Sequence, residues 1–131
     1  MAAKPYKYSD ITKRIIRCAM EVHNSLGNGF QEVIYQRALS YEMSHRNLLY
    51  EREFEMPVMY KEWQIGTRRV DFLVEDKISV EIKAVVELEK VHLAQAINYL
   101  EAYNLEIGLL INFGNIRLQF HRLKNKKFKG A

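Results

Sequence analysis

The amino-acid sequence predicts one α/β domain with the element order α-α-β-β-β-α-β-β. Three observations carry this. Apolar residues recur at helical spacing in two N-terminal stretches and again after Lys90, two-residue alternation fills the region between, and one long apolar run follows. The chain has 131 residues, 48% of them hydrophobic and 27% charged, which is enough for a single core. With only 6 Gly and 2 Pro it is neither linker-rich nor of low complexity. No internal repeat or second domain is visible, and the ends, about residues 1–9 and 124–131, are expected to fray.

Asp10 can cap a first helix running to about Leu26, in which Ile11, Ile15, Ala19, Val22 and Leu26 form one apolar stripe. Gly27-Asn28-Gly29 ends it, because Gly and Asn tolerate left-handed backbone. A second helix is predicted from Gln31 to about Asn47, burying Ile34, Tyr35, Ala38 and Leu39. Phe54, Met56, Val58 and Tyr60 then alternate with Glu53, Glu55 and Pro57, the period of a strand. Pro57 lacks an N–H, so that strand lies at an edge or is bulged. A short Trp63–Ile65 segment precedes a strand over Arg68–Val74, and Glu75-Asp76-Lys77 turns into a strand over Ile78–Val86. Lys90 to about Tyr103 is helical, with Leu93, Ile97 and Leu100 on one side and His92, Gln95 and Tyr99 on another. Glu106–Phe113 reads as a strand buried in a sheet interior, and Gly114-Asn115 turns it into Arg117–Arg122.

Charge and cysteine content exclude several classes. There are 20 Lys and Arg against 16 Asp and Glu, a net +4. Much of the excess sits in Lys124, Lys126, Lys127 and Lys129, so the body is near neutral and a nucleic-acid partner is permitted, not indicated. Cys18 is the single cysteine, which rules out an intrachain disulfide and a cysteine-based zinc cluster; a buried, inert thiol is expected. The four histidines show no zinc spacing. The first residues lack the apolar core of a signal peptide, and no apolar run approaches membrane-spanning length. A cytoplasmic protein without a membrane partner is the expectation.

The strongest chemical signal is Asp71 followed by Glu81-Ile82-Lys83. Alternation puts Glu81 and Lys83 on one strand face with Ile82 on the other, and a hairpin symmetric about Asp76 sets Asp71 opposite Glu81. Adjacent carboxylates repel unless a cation or proton intervenes. Hard oxygen ligands suit Mg²⁺ or Mn²⁺, with a nearby ammonium to steady charge on phosphate. The competing reading is a cross-strand lysine–carboxylate cluster on a solvated face, and spacing alone leaves both open.

This Asp-x9-Glu-x-Lys pattern resembles the active-site motif of the PD-(D/E)XK nuclease superfamily. The rest of the chain resembles its GxxExxY branch, through Gly29-Phe-Gln-Glu32-Val-Ile-Tyr35, Glu21-Val-His23-Asn-Ser-Leu-Gly27, His92-Leu-Ala-Gln95, Asn98-Tyr99-Leu100 and Gly108-Leu-Leu-Ile-Asn112-Phe-Gly114. The resemblance spans about residues 10–122 and rests on the order and spacing of motifs that are individually weak. It implies a restriction-endonuclease-like fold, a central mixed β-sheet flanked by helices. It also implies a Mg²⁺ or Mn²⁺ site made from Asp71, Glu81, the main-chain carbonyl of Ile82 and Glu32, with Lys83 beside the nucleophilic water. Gln95 and Tyr99 match the superfamily's Gln-x3-Tyr element. Val70 replaces the motif's proline, which is not a ligand.

Each residue also has a plainer reading. Glu32 in a helix's first turn is favoured by unpaired N–H groups, worth about 0.3–1 kcal/mol, and Tyr35 one turn on reads as core or wall. Gln95 and Tyr99 can simply be the polar side of an amphipathic helix, and His92 a surface hydrogen-bonding residue. Arg69, on the Asp71 side by alternation, can meet phosphate or bridge to the acidic cluster. Glu21 and His23 can touch the rim, while His45 and His121 have no partner pattern. The leading function is a metal-dependent nuclease acting on DNA or RNA, with catalysis by Asp71, Glu81 and Lys83 and substrate contacts from Gln95, Tyr99, Arg69 and His92. The alternative is a non-catalytic nucleic-acid-binding, regulatory or partner-binding module on the same fold. A domain this small covers little duplex alone, which makes a homodimer plausible.

Overall fold

The computed structural model describes residues 6–130. Two helices, α1 (Ser9–Leu26) and α2 (Glu32–His45), precede β1 (Tyr50–Tyr60), β2 (Trp63–Val74) and β3 (Ile78–Lys83); α3 (Lys90–Ala102), β4 (Ile107–Asn112) and β5 (Gln119–Lys124) follow. The strands form one five-stranded sheet in the order β1-β2-β3-β4-β5. Only β3 and β4 run parallel, and the other neighbours are antiparallel. A parallel pair needs a crossover, and α3 supplies it. The result is the predicted element order and a mixed sheet with helices on both faces.

Alternation along the central strands sorts side chains into two cores. Ile78, Val80 and Ile82 of β3 and Ile107, Leu109 and Ile111 of β4 pack with Ile15, Ala19, Val22, Tyr35 and Leu39 of α1 and α2. On the other face Leu110 and Leu123 meet Ala96 and Leu100 of α3, with Leu93 and Ile97 partly buried beside them. Every residue of β4 is buried, which explains its nearly unbroken apolar run. Each fully buried Leu or Ile contributes about 1.5–3 kcal/mol. Gly108 of β4 is needed for this packing, because a β-carbon there would lie 2.6 Å from Ser79 Oγ and 3.0 Å from Leu100 Cδ2.

The turn from α1 to α2 is held by a core tyrosine. Gly27 adopts φ 73 and its N–H donates to the His23 carbonyl. The Tyr35 hydroxyl donates to the Gly27 carbonyl at 2.6 Å and accepts the Phe30 N–H at 3.1 Å. Its ring stacks on Phe113, with centroids 4.7 Å apart. One side chain therefore ties the turn to the end of β4, and Glu32 is held at the start of α2.

Several boundaries differ from the sequence expectations. Asp10 does not cap α1: the N-cap is Tyr8, with left-handed φ 58 and no side-chain cap, and Asp10 sits in the first turn. The second helix ends at His45, and the first strand begins earlier, at Tyr50. Trp63–Ile65 joins Arg68–Val74 in one strand, β2. Pro57 lies on edge strand β1, beside a register shift between Val58 and Met59. The strand expected to reach Val86 stops at Lys83, because Asn112 takes over the backbone two residues on: its Oδ1 accepts the Val85 N–H at 2.9 Å and its Nδ2 donates to the Val85 carbonyl at 2.8 Å.

The described parts of the termini make hydrogen bonds to the body of the domain. Tyr6 donates to the Leu123 carbonyl at 2.6 Å. Buried Asn125 donates from Nδ2 to the carbonyls of Leu100 and Leu105, and Asn104 exchanges two hydrogen bonds with the Lys129 backbone. Asparagines thus dock a lysine-rich stretch that composition alone marks as solvated. Residues 1–5 and 131 lie outside the described residues.

Two substitutions separate packing from surface. Leu100→Ala is expected to cost about 2–5 kcal/mol as a core truncation, while Gln95→Ala stays within about 0.5 kcal/mol. Urea denaturation checks the ranking. In the same assay Gly114→Ala is expected to cost at least about 1–3 kcal/mol, since a β-carbon there would sit 2.5 Å from the Ala84 carbonyl carbon and the Val85 nitrogen.

Candidate active site

The β2–β3 hairpin sets the geometry. Phe72 pairs with Val80, Leu73 with Ser79 and Val74 with Ile78, the register that places Asp71 level with Glu81. The pairing stops there. Asp71 Oδ2 accepts the Ile82 N–H at 2.7 Å, and Oδ1 accepts from Gln36 Nε2 of α2 at 2.9 Å. The β1–β2 pairing also skips Asp71 and Glu53, where Glu53 holds a left-handed φ of 54. For a residue with a β-carbon such backbone costs about 1–3 kcal/mol and clusters near functional sites.

An open polar cleft of about 500 Å³ lies at this break, lined by Glu32, Arg68, Arg69, Asp71, Glu81, Ile82, Lys83 and Gln95. It sits at the carboxyl end of β3, where crevices of parallel strands take ligands. The Ile82 side chain is buried in the α1–α2 core, so its residue meets the cleft through the backbone. Glu81 points the other way, where Arg68 Nη2 lies 3.2 Å from its Oε1. The Arg68 guanidinium also lies 5.5 Å from the ring centre of Tyr99 on α3.

Strict alternation from Phe72 would send Arg68 to the α1–α2 face. Phe72 does pack edge-on against Tyr50 there, whereas Arg68 lies over Tyr99, so β2 rotates across the unpaired Asp71. The expected roles of the two arginines separate accordingly. Arg69 lines the cleft but is 3.7 Å from Glu53 and 3.5 Å from Glu55 on β1, so its bridges go to those glutamates and not to the acidic cluster.

The residues expected on α3 also separate. Gln95 is exposed in the cleft. Tyr99 is fully buried, with no hydrogen-bond partner for its hydroxyl. Burial pushes that hydroxyl up to about 12, with Tyr103 and Glu81 adding to the rise, so it stays protonated. His92 closes a capping box with Glu89: its Nδ1 accepts the Glu89 N–H at 2.9 Å. That makes Nε2 the protonated nitrogen, and His92 is not among the residues that line the cleft. His23 hydrogen-bonds the Asn115 carbonyl at 3.0 Å and is spent on the loop after β4.

Gln36 carried no sequence expectation, yet it holds Asp71. It stands one helical turn after Glu32, the spacing that puts both on one helix face, and this was the signal available. Asn112 is fully buried and makes bonds to Val85, Gly114 and Gln119. It holds the segment that leaves Lys83.

The electrostatics are those of an incompletely compensated acidic site. Burial raises Asp71, against the Ile82 and Gln36 hydrogen bonds and Lys83, which lower it. Burial likewise raises Glu81, offset by Arg68 and Lys83 and reinforced by Asp71. Glu32, at the rim, is raised by desolvation, with Lys83 and His92 opposing and Asp71 assisting. Among the described residues no three His, Cys, Asp or Glu side chains converge as a closed metal cage. Two carboxylates with open lone pairs and a backbone carbonyl still suit a hard cation such as Mg²⁺, which keeps waters and takes substrate phosphate oxygens.

A mixed sheet with helices on both faces, and an acid–acid–lysine cleft at the end of its parallel strand, define a restriction-endonuclease-like α/β protein. The PD-(D/E)XK nuclease superfamily matches residues 9–123, and the chain belongs to it. Among solved structures it is similar to the crystal structure of SSO0001, with a TM-score of 0.57 at 18% identity over 91% of this chain. That is a likeness of fold, and the chain spans 60% of that protein's length. No curated protein matches. Among the described residues no helix is long and apolar enough to cross a membrane.

Two measurements test these electrostatics. The raised carboxylates Glu32, Asp71 and Glu81 bind protons more tightly folded than unfolded. In the window just above the ordinary carboxylate range, stability therefore falls as pH rises. Asp71→Asn is expected to flatten that slope in urea titrations of metal-free protein, and an unchanged slope would mean that Asp71 is fully compensated. Tyr99→Phe removes an orphaned hydroxyl, so stability is expected to rise by about 1 kcal/mol.

Proposed function

We propose that this chain is a metal-dependent nuclease of the GxxExxY branch, hydrolysing phosphodiester bonds in nucleic acid with Mg²⁺ or Mn²⁺. One observation carries the reading: Asp71 and Glu81, both desolvated, share an open polar cleft with Lys83. Structural acid–base clusters pair their charges, and among the described residues Lys83 has no ion-pair partner within 4.0 Å. The Tyr35 latch on the Gly27–Phe30 turn supports the branch assignment, because it gives the Gly29–Glu32–Tyr35 spacing a physical purpose.

In this reading Asp71, Glu81 and the Ile82 carbonyl hold the cation, with Glu32 approaching from α2. The cation supplies Lewis acidity for attack of water on phosphorus. Gln36 and the Ile82 N–H keep the Asp71 carboxylate oriented. The Lys83 ammonium orients the attacking water by hydrogen bonding and steadies the charge that builds on phosphate. Gln95, a neutral donor at the cleft mouth, binds a phosphate oxygen, and the free Nε2–H of His92 offers a second donor at the rim.

The discriminating experiment pairs calorimetric titration of Mg²⁺ and Mn²⁺ with cleavage assays on single-stranded, duplex and branched substrates. Glu81→Ala is expected to abolish metal uptake and cleavage while leaving the fold intact. Lys83→Ala should keep metal and lose turnover by about 10²–10⁴-fold. A structural cluster would instead lose stability in both variants and bind no metal in any. A binding-only module would hold nucleic acid uncut in either metal. No metal uptake by the wild type at millimolar Mn²⁺, with nucleic acid present, would end the nuclease reading.

A further inference from the structure

Arg68 stands where a cation is needed. Its Nη2 lies 3.2 Å from Glu81 Oε1, and Glu81 is the same carboxylate that the nuclease reading assigns to a divalent ion. A divalent ion on Glu81, even at the Oε2 that Arg68 leaves open, would neutralise the carboxylate and repel the guanidinium, weakening its hold. The other arginine of the cleft is committed elsewhere: Arg69 bridges Glu53 and Glu55.

The setting lets Arg68 leave. Its backbone is held in the β1–β2 ladder opposite Met56 but lies beyond the last β2–β3 pair, Phe72 with Val80, so the exchange involves the side chain alone. Its side chain keeps 30% of its surface in solvent, against 10% for Glu81. Its second contact is the face of Tyr99, which attracts a cation without demanding one hydrogen-bond direction. A freed guanidinium is a planar fork of donors matched to phosphate oxygens.

We infer that Arg68 is an exchangeable stand-in: it neutralises Glu81 in the metal-free protein and turns to a backbone phosphate of the nucleic acid when a divalent cation takes Glu81. Arg68 is then a substrate-positioning residue, released only in the loaded site. By linkage, metal and nucleic acid each strengthen the other's binding. The inference rests on the nuclease reading for the identity of both ligands.

The test uses a fluorescein-labelled DNA oligonucleotide, single-stranded and duplex, and its RNA counterpart, titrated against the full chain in EDTA. Glu81→Gln is expected to release Arg68 without metal and tighten binding roughly tenfold, the worth of a charge-assisted hydrogen bond. In an Arg68→Ala background the same substitution should return only a small part of that gain, since it then removes a charge and frees nothing. Equal gains in both backgrounds overturn the inference. A second measurement needs no variant: the Arg68 Nε–H resonance, displaced by the Tyr99 ring, is expected to move toward the free-arginine position on Mg²⁺ addition. A resonance unmoved in protein that calorimetry shows to be metal-loaded also overturns it. Absence of metal uptake defeats the nuclease reading instead, and the EDTA cycle still decides whether Glu81 holds Arg68 from nucleic acid.

Discussion

The hydrogen bond from the Ile82 amide to Asp71 sets where the sheet stops and the cleft begins. Up to Phe72 and Val80 the two strands satisfy each other through backbone pairs. One residue further, a carboxylate takes the place of the ladder carbonyl. Had the ladder continued, the backbone of β3 at Glu81–Lys83 would be covered by β2. Replacing one backbone acceptor with a side chain opens the sheet while leaving no buried N–H unpaired, which would cost about 1–3 kcal/mol. The carboxylate is itself desolvated in the exchange, and Gln36 and the Ile82 amide offset only part of that. The fold thus keeps a local destabilisation at this point, as sites built to receive a charged ligand commonly do.

Around that opening, the supporting residues act on loops. Asn112 satisfies both backbone groups of Val85, and Gly114 lets the backbone after β4 pass against Ala84 and Val85. Tyr35 joins the α1–α2 turn to Phe113. These contacts converge on the segments that leave Lys83 and lead into Glu32. The rigid sheet therefore positions Asp71 and Glu81, and side-chain hydrogen bonds position what approaches from outside it.

Much of the fold was legible because period reports burial: α1, β4 and the alternating hairpin strands each show their pattern directly. Boundaries were less legible where side chains replace backbone partners. Asn112 ends β3 early, and Asn125 with Asn104 docks a lysine-rich end, and neither event leaves a periodic trace. The level placement of Asp71 and Glu81 followed from hairpin symmetry. Gln36 was legible in principle, one turn from Glu32. The contact between Arg68 and Glu81 was not. It needs β2 to rotate where the ladder skips Glu53 and Asp71, and alternation assumes an unbroken ladder.

That rotation bears on how a chain with so modest a charge excess would meet a polyanion under the proposed function. The net charge is +4, and near the cleft the arginines are engaged by carboxylates: Arg68 by Glu81, Arg69 by Glu53 and Glu55. A standing basic patch would bind nucleic acid through counterion release whether or not the site was ready to act. Pairing of Arg68 and Arg69 lowers that background attraction at the cleft. Under the proposed function, a divalent ion held by Glu81 would leave Arg68 uncompensated, while Arg69 would keep its partners on β1, so positive potential would rise at the cleft without any added basic residue. On the same reading, recognition would depend on occupancy of the site and not on composition alone, and net charge would predict little about it.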